Sequence, residues 1–328
     1  MTLNLTLLTA TYVLQVSDRR ITKTSTGEIH PLANKNVVFL ARDGLVTICY
    51  SGPAYIEHVP TDVWIACKLA GEDIGPYLRA EKVGVKMGSM PKRPWLNTGQ
   101  SVELLRHELE AQNLVDRLDV MVAGWQEHKR GMRPICWGID ARGATATAES
   151  PLHRYWHYER SPDGRRRYCL FEIPGNPGAW LSQSELYRLV GLLMPAARSP
   201  EAAVRRLIWA VRYVADRTSA VGPDCMCILL PNPDEHPELF VRYEPVKEAR
   251  AHVHLGRDAV EEVPAAFSPW LVGPHIHAPP RMIGGGGVQL MLDHIKVTEL
   301  TPPMPRSTGL LSFSTTQPRP SDPSLEPP

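Results

Sequence analysis

The first fifty residues alternate between short apolar runs and polar turns, a pattern that predicts β-strands. Leu alternates with Asn and Thr over residues 2–9, and after a polar turn a second run covers residues 12–18. A polar loop leads to two further apolar runs over residues 37–40 and 45–50, which Asp43-Gly44 joins. Period-two alternation between tight polar turns is typical of strands in hairpins. The N-terminal part of the chain is therefore predicted to form four strands.

The middle and late parts of the chain carry further strand signals. Runs of apolar and β-branched residues are separated by turn sequences such as Lys129-Arg-Gly131, Asp140-Ala-Arg-Gly143 and Asp163-Gly164. Turns of this composition favour hairpins between the runs that flank them. The strands predicted from these runs cover residues 118–123, 134–139, 144–148, 168–173, 225–230 and 239–243.

Two helices are predicted between the first and second groups of strands. The first is short, with Thr61 as the expected N-cap and Gly71 as the expected C-cap. Residues 72–99 show no clear period and are predicted to form a loop. Apolar residues at helical spacing over residues 101–113 predict the second helix.

Two more helices are predicted before the late strands. The motif Ser182-Gln-Ser-Glu185 is a capping box that opens a helix through Leu193. Ser199-Pro200-Glu201 opens another helix, which has one apolar face and ends at Asp216. Strands and helices thus follow each other in blocks, each long enough to form a layer. This order predicts an α+β fold in which two sheets pack together with helices outside.

The composition changes after residue 245. Residues 246–300 are predicted to be a small C-terminal extension, with a flexible break at Gly284–Gly287 and a strand or short helix over Val288–Leu300. Residues 301–328 are rich in Pro and Ser, which predicts a disordered tail. The domain division expected from the sequence is therefore 1–245, 246–300 and 301–328.

The extension also carries two histidine pairs, His252-Val-His254 and His275-Ile-His277. Alternate residues share one face of a strand, so the two pairs could bind a metal ion together. No Asp or Glu lies at a spacing from these histidines that is typical of a metal site. This favours the interpretation that they are ordinary surface histidines over the interpretation that they bind a metal ion. Cys225-Met-Cys227 likewise lacks a second ligand pair nearby. We therefore expect no metal and no cofactor.

Composition and charge narrow the class of protein. The chain of 328 residues is 43% hydrophobic and 22% charged, enough for a sizeable core. Its formal net charge of +1 favours neither nucleic acid nor an anionic membrane as a partner. The chain contains no apolar run of eighteen residues and no basic, apolar start of the signal-peptide kind. Six scattered cysteines are typical of buried thiols in a reducing cytoplasm.

The candidate chemistry lies at the ends of the first strands. Thr2, Asp18, Lys35 and Gly52 follow one another at positions where strands begin or end. Removal of Met1 would leave Thr2 with a hydroxyl and an α-amine, whose ordinary pKa of about 8 suits a general base. A nearby ammonium from Lys35, held by Asp18, favours the neutral amine. The backbone N–H of Gly52 could then stabilise an oxyanion.

These residues resemble the N-terminus of proteasome β-type subunits and their bacterial relatives, the N-terminal-nucleophile hydrolases. Asp18 lies sixteen residues after Thr2, which is the family spacing, and Lys35 lies one residue beyond the usual position. The resemblance implies a four-layer αββα sandwich over roughly residues 2–245. It also implies a threonine-type peptidase that acts on peptides or proteins and assembles into ring or spiral homo-oligomers.

The resemblance assigns further roles beyond the strand ends. Asp216 and Ser219 match the pair that supports the α-amine, and Arg20, Tyr50 and Ala54 are expected to line the substrate pocket. The supporting serine of the family is absent, because the corresponding stretch is Gly175-Asn-Pro-Gly178. The apolar residues of the helix near Thr61 are expected to provide a surface for self-assembly, and these are Val63, Trp64, Ile65 and Leu69.

Two alternative functions remain open at the level of sequence. One is a catalytically inactive, proteasome-like protein that serves in assembly or binding. The other is an amidase for a small molecule, because the same site cleaves any suitably held amide. An unfoldase partner is not identifiable from the residues.

Overall fold

The fold is that of a computed structural model, which describes most of the chain up to residue 291 and one short segment beyond it. The described residues are 3–22, 29–30, 34–56, 59–72, 92–129, 131–140, 143–146, 153–160, 166–173, 181–235, 238–244, 250–254, 260–264, 266–267, 269–274, 276–278, 282–283, 288–291 and 313–314.

Strands account for most of the secondary structure. In chain order they are β1 (Asn4–Thr9), β2 (Tyr12–Asp18), β3 (Ile21–Thr22), β4 (Ile29–His30), β5 (Asn36–Ala41), β6 (Gly44–Ser51), β7 (Tyr55–Ile56), β8 (Val59–Pro60), β9 (Asp119–His128), β10 (Gly131–Asp140), β11 (Gly143–Ala146), β12 (His153–Arg160), β13 (Arg166–Ile173), β14 (Cys225–Pro231), β15 (Glu238–Glu244), β16 (Arg250–His254), β17 (Val260–Pro264), β18 (Ala266–Phe267), β19 (Trp270–Gly273), β20 (Ile276–Ala278), β21 (Met282–Ile283), β22 (Val288–Met291) and β23 (Phe313–Ser314).

Two large sheets contain most of these strands. We call the first sheet A, with strand order β12-β13-β1-β2-β14-β15-β22-β23, and the second sheet B, with strand order β11-β10-β9-β6-β5-β19-β20. The pairings within both sheets are antiparallel except that of β19 with β5, which is parallel. The separate sheets and helices confirm the α+β prediction.

The described residues contain four helices, which are α1 (Thr61–Ala70), α2 (Thr98–Ala111), α3 (Gln183–Ala196) and α4 (Pro200–Ala215). None of these helices has the length and apolar character needed to cross a membrane. The capping box of Ser182 with Glu185 and the Ser199 N-cap form as predicted. Gly71 ends α1 in the left-handed conformation, with φ of 69°, which glycine adopts without strain.

Some element boundaries differ from the sequence prediction. Thr61 is the first residue of α1 and not its N-cap, because Pro60 occupies the cap and the Thr61 hydroxyl donates to the Pro53 carbonyl. The second helix begins earlier than predicted, because Asn97 forms a capping box with Gln100. Strand β12 was missing from the prediction, since its many polar and aromatic residues show no clear alternation.

The helices α3 and α4 pack on sheet A. Helix α4 contributes an apolar face that includes Leu207 and Val211, which are fully buried. Leu5 and Leu7 of β1 lie in the same cluster as this face, together with Leu3, which directly precedes the strand. A second cluster contains Leu105 of α2 and residues of β5, β6, β9 and α1, so that α1 and α2 pack on sheet B.

A third apolar cluster contains residues of both sheets and so shows that they face each other. It includes Leu8 and Val13 of sheet A and Met121 and Trp125 of sheet B. The indole Nε1 of Trp125 donates to the carbonyl of Leu230 on sheet A, at 2.9 Å. Both faces of β1 and β2 are consequently buried, although their sequence alternates between apolar and polar residues.

The apolar residues of α1 are not available for self-assembly in the described structure. Trp64 and Ile65 are fully buried and Leu69 is 3% exposed, all within the cluster that joins α1 to sheet B. The expectation of an association surface is therefore wrong for Trp64, Ile65 and Leu69, because the sheet already covers them. Val63, the fourth residue of that expectation, is half-buried and packs against the same cluster. The large apolar side chains that are exposed lie elsewhere and include Tyr187 of α3 and Trp209 of α4.

Residues after 245 add strands to both sheets. Trp270 of β19 pairs with Val37 of β5 in sheet B, and β22 pairs with β15 in sheet A. The β22 strand is the strand alternative predicted for Val288–Leu300. Strand β23 pairs with β22, so this part of the expected tail belongs to a sheet, while the other residues of 301–328 lie outside the described residues. The domain boundaries at 245 and 300 stay predictions.

The predicted histidine and cysteine features are only partly described. His252 and His254 lie on β16 and His277 lies on β20, whereas His275 is outside the described residues. The metal alternative for these pairs therefore stays a hypothesis. The described cysteine side chains are buried, and none forms a disulfide; they are Cys49, Cys67, Cys136, Cys225 and Cys227.

We predict that Leu207→Ala lowers the free energy of unfolding by about 2–5 kcal/mol, because it opens a cavity between α4 and sheet A. Urea unfolding followed by circular dichroism measures the loss. The matched control is Arg206→Ala, which changes the exposed neighbouring residue of the same helix. Equal effects of the two substitutions would contradict the packing of α4 on the sheet.

Candidate active site at the ends of the first strands

A buried ion pair lies where β2 ends and β5 begins. Asp18 is the last residue of β2 and Lys35 directly precedes β5. The Lys35 Nζ lies 2.9 Å from each carboxylate oxygen of Asp18. Asp18 is fully buried and Lys35 is 1% exposed. The structure thus brings together two of the residues that the sequence singled out.

The Asp18 carboxylate also accepts three backbone hydrogen bonds. The N–H of Leu3 donates to Oδ1 at 2.8 Å, and the N–H groups of Arg20 and Gly222 each donate to Oδ2 at 3.1 Å. A buried carboxylate is stable as an anion when several donors and a cation surround it. The carboxylate is thus anchored to Leu3, the residue that directly follows the predicted nucleophile Thr2 in the sequence.

Burial controls the electrostatics of Lys35. Desolvation lowers the pKa of the Lys35 ammonium below its ordinary value of 10.5, because removal from water disfavours the charged form. The Asp18 carboxylate raises this pKa through its charge and hydrogen bonds, while the charges of Arg19 and Arg20 lower it. The ammonium therefore depends on Asp18 to remain charged.

The segment after α4 lies against the end of β2. Besides the Gly222 contact with Asp18, the Arg20 Nη1 donates to the Ser219 carbonyl at 2.9 Å. The Arg19 N–H donates to the Asp224 carbonyl at 3.1 Å. A Cβ on Gly222 would lie 2.7 Å from the Cβ of Arg20, so this close approach requires glycine.

The predicted amine-supporting pair lies in this segment. Asp216 occupies the C-cap of α4 and is exposed, and Ser219 is exposed three residues later. Ser219 contacts Arg20 through its backbone carbonyl. Thr2 itself lies outside the described residues, and so does Gly175-Asn-Pro-Gly178, the stretch that lacks the family's serine. The role of Asp216 and Ser219 stays a prediction.

Gly52 directly follows β6 and has a backbone reason to be glycine. Its φ of 139° is one that residues with a side chain rarely adopt. A Cβ at this position would also lie 2.3 Å from the carbonyl oxygen of Arg117. This backbone conformation occurs directly after the end of β6, at the position where the sequence predicts an oxyanion donor.

The predicted pocket residues differ in exposure. Arg20 and Ala54 are half-buried, whereas Tyr50 is fully buried in the cluster between sheet B and its helices. Burial raises the pKa of the Tyr50 phenol well above its ordinary value, and the nearby charges of Asp62 and Asp18 raise it further. Tyr50 is therefore neutral over the physiological pH range.

Sequence analysis missed Asn34 and Asp62, which lie next to the ion pair. The Asn34 Nδ2 donates to Asp62 Oδ2 at 3.0 Å and to the Asn36 carbonyl at 2.8 Å. Desolvation raises the pKa of Asp62 to about 6, although hydrogen bonds from neighbours such as Asn34 oppose the shift. Asp62 was visible as an acidic residue near a helix start, but nothing local indicates its burial against Asn34.

We predict that Asp62 makes stability depend on pH. Its folded-state pKa of about 6 exceeds its ordinary value of 3.8, so the folded state binds the proton more tightly. The resulting stabilisation is complete below about pH 4 and is lost as the pH rises through about 6, a change of about 3 kcal/mol. Urea unfolding from pH 4 to 7 should show the native protein losing stability relative to Asp62→Asn.

The control for this pH dependence is Asp116→Asn, at an exposed position. Its stability relative to the native protein should not vary over the same range of pH. A difference between Asp62→Asn and the native protein that is independent of pH would contradict the buried titration.

We predict that Asp18→Asn lowers the free energy of unfolding by about 3–5 kcal/mol, because it leaves the Lys35 ammonium buried without a counter-charge. The double variant Asp18→Asn/Lys35→Met should lose less than the single variant, since the uncompensated charge is gone. Urea unfolding compares the two. Arg106→Met, which breaks the exposed pairs with Glu103 and Glu110, serves as the control and should have no resolvable effect.

A double variant less stable than Asp18→Asn would contradict this account of the ion pair. It would show that the ammonium finds other stabilisation in the folded protein once Asp18 is neutral.

No protein-family model and no curated protein matches the sequence. Among solved structures, the chain is similar to the Anbu (Gly-1) mutant from Hyphomicrobium sp. strain MC1, with 10% sequence identity and a TM-score of 0.43. It is also similar to Anbu (ancestral beta-subunit) from Yersinia bercovieri, with 8% identity and a TM-score of 0.42. Each alignment covers 70% of this chain and 82% of the other.

Proposed function

We propose that this chain is an N-terminal threonine hydrolase of the peptidase type, in which Thr2 becomes the nucleophile after removal of Met1. The observation that carries the proposal is the buried Asp18 carboxylate. Its Oδ1 accepts hydrogen bonds from both the Leu3 N–H and the Lys35 ammonium. The Lys35 ammonium and the N–H of Leu3, the residue that follows Thr2 in the sequence, thus bind the same carboxylate oxygen.

The chemistry that this arrangement supports begins with the α-amine of Thr2. A free α-amine has an ordinary pKa of about 8, so it accepts a proton from the Thr2 hydroxyl near neutral pH, directly or through water. The Lys35 charge lowers the proton affinity of the amine, because two neighbouring cations repel. Asp18 keeps Lys35 charged and fixed in place despite its burial.

The other parts of the proposed site follow from the strand ends. The N–H of Gly52 is the proposed oxyanion donor, because Gly52 directly follows β6 in a backbone conformation that favours glycine. Asp216 and Ser219 are proposed to support the α-amine from the segment that also contacts Asp18 through Gly222. Arg20, Tyr50 and Ala54 are the proposed residues of the substrate pocket. Arg20 and Ala54 are half-buried, and the neutral, fully buried Tyr50 is proposed to form the apolar layer beneath the pocket.

The three apolar clusters support a four-layer arrangement for this site. One cluster joins α3 and α4 to sheet A, one joins the two sheets, and one joins sheet B to α1 and α2. We propose that these layers form an αββα sandwich, with the site at the end where β2 meets β5. We also propose that the chain forms homo-oligomers, and the exposed aromatic residues of its described part include Tyr55, Tyr187 and Trp209.

The test is intact-mass analysis of the full chain with and without a β-lactone. A nucleophilic hydroxyl opens the lactone by attacking its carbonyl carbon, and the ring oxygen leaves as an alcohol within the adduct. The mass therefore increases by the whole mass of the reagent. We predict that the mature protein lacks Met1 and gains one adduct, which Thr2→Ala abolishes.

Lys35→Met should slow this labelling by about a hundredfold or more, as expected for removal of a preorganised charge near a reacting group. Lys129→Met is the matched control, since Lys129 is exposed, and should label at the native rate. Retention of Met1, or the absence of an adduct on Thr2, would overturn the hydrolase proposal. The inactive assembly protein would then be the better hypothesis.

A further inference from the structure

Six polar side chains are fully buried between the two sheets, close to the ion pair. They come from β1 and β2 of sheet A and from β5 and β6 of sheet B. No water-exposed surface remains on any of them, and they are Asn4, Thr6, Gln15, Ser17, Asn36 and Thr47. We call this group the inter-sheet polar network.

Hydrogen bonds within the network cross from one sheet to the other. The Ser17 hydroxyl of sheet A donates to Asn36 Oδ1 of sheet B, and Asn36 Nδ2 donates back to Gln15 Oε1 at 2.8 Å. The Thr47 hydroxyl of sheet B donates to the same Gln15 oxygen at 2.8 Å. Gln15 Nε2 donates within sheet A to the Thr6 hydroxyl at 3.2 Å. Gln15 is therefore the centre of the network.

The network occupies one part of the inter-sheet space and an apolar cluster occupies another. Along β2, the inward-facing residues change from Val13 in the apolar cluster to Gln15 and Ser17 in the network. Apolar side chains of similar size would fill this space without the desolvation penalty that buried polar groups carry. Stability alone therefore does not account for the polar residues.

Directional contacts specify the relative position of the sheets better than apolar contacts do. Hydrogen bonds weaken steeply with distance and angle, whereas the hydrophobic effect has no direction. A slip of one sheet past the other by one residue, about 3.3 Å, would break the cross-sheet bonds. The apolar packing between the sheets would tolerate a smaller slip, whereas the network and the hydrogen bond from Trp125 to Leu230 would not.

The network contacts the chain on both sides of the proposed site. Ser17 directly precedes Asp18, and Asn36 directly follows Lys35, so their hydrogen bond joins the immediate neighbours of the ion pair. At the other side, Asn4 Nδ2 donates to the Tyr50 carbonyl. Asn4 lies two residues after Thr2, and Tyr50 lies two residues before Gly52.

We infer that the inter-sheet polar network is a positioning element of this site, and this inference rests on the proposed function. It fixes the offset between the sheets at which Lys35 of one side meets Asp18 of the other. Through Asn4 it also fixes β1, which begins two residues after Thr2 in the sequence, against β6, which ends directly before Gly52. None of the six side chains takes part in bond making or breaking.

The test compares two network variants with an apolar control. Gln15→Leu removes the centre of the network, and Thr47→Val removes one hydroxyl with almost no change in shape. Val13→Ala is the control, because Val13 is fully buried on the same face of β2 but belongs to the apolar cluster. Its truncation lowers stability without altering any polar contact.

Two readouts separate positioning from stability. The first is the rate at which the β-lactone labels Thr2, which should fall at least tenfold in Gln15→Leu and by a smaller factor in Thr47→Val. The second is the titration of Lys35, followed by NMR of its side chain, which should shift by about half a pH unit or more as the ion pair loosens. Val13→Ala should change neither, although its melting temperature falls.

The second readout does not depend on hydrolysis. If native protein is not labelled, the proposed function fails, and the Lys35 titration still decides whether the network positions the ion pair. If Gln15→Leu does not fold, Thr47→Val decides both readouts. Native labelling rates and an unchanged Lys35 titration in the folded network variants would overturn the inference, as would equal effects in Val13→Ala.

Discussion

The ion pair between Lys35 and Asp18 constrains the rest of this structure more than any other contact at the strand ends. An ammonium and a carboxylate that are almost completely buried are tolerated only when each satisfies the other and the remaining lone pairs find donors. Asp18 meets this requirement with backbone N–H groups from Leu3, Arg20 and Gly222. The first strand, the end of β2 and the segment after α4 must therefore meet at one point.

The space between the sheets is divided according to what each part must do. Around Trp125 and Met121 it is mainly apolar, and burial holds the sheets together there, with a directional contact from the Trp125 indole to the Leu230 carbonyl. Near the ion pair it is polar, and hydrogen bonds around Gln15 choose the offset. Buried polar networks of this kind favour one arrangement to the extent that their members find partners. Gln15 and Asn36 do so here, whereas the Oδ1 of Asn4 has no hydrogen-bond partner among the described residues. The apolar part thus contributes mainly stability, and the polar part contributes most of the directional contacts between the sheets.

Local patterns were sufficient to predict most elements but not their environment. Capping residues such as Ser182 and Ser199 signal a helix start within a few residues, so those helices were predicted closely. The alternation of Leu with Asn and Thr identified β1, yet it gave no sign that Asn4 and Thr6 are buried. Their partners lie on strands far away in the sequence, and no local period records such a pairing.

In the candidate site, too, some residues could be predicted from the sequence and others could not. The resemblance to N-terminal-nucleophile hydrolases was sufficient to select both Asp18 and Lys35, because Asp18 lies at the family spacing after Thr2 and Lys35 lies within one residue of it. Asn34 and Asp62 were missed, since their contact depends on how the start of α1 approaches the residue before Lys35. The role of Gly222 was also missed, because a backbone donor leaves no side-chain signal in the sequence.

The backbone N–H groups that bind Asp18 determine which substitutions the candidate site tolerates. Three of the groups that hold Asp18 are N–H groups, which almost any residue can supply, so substitution leaves the donor in place if the backbone path is kept. The constraint then falls on the path itself, as at Gly222, where a side chain would collide with Arg20. At Asp18 the constraint therefore lies in the backbone path and in the charge of Lys35, whereas between the sheets it lies in side chains such as Gln15 and Asn36.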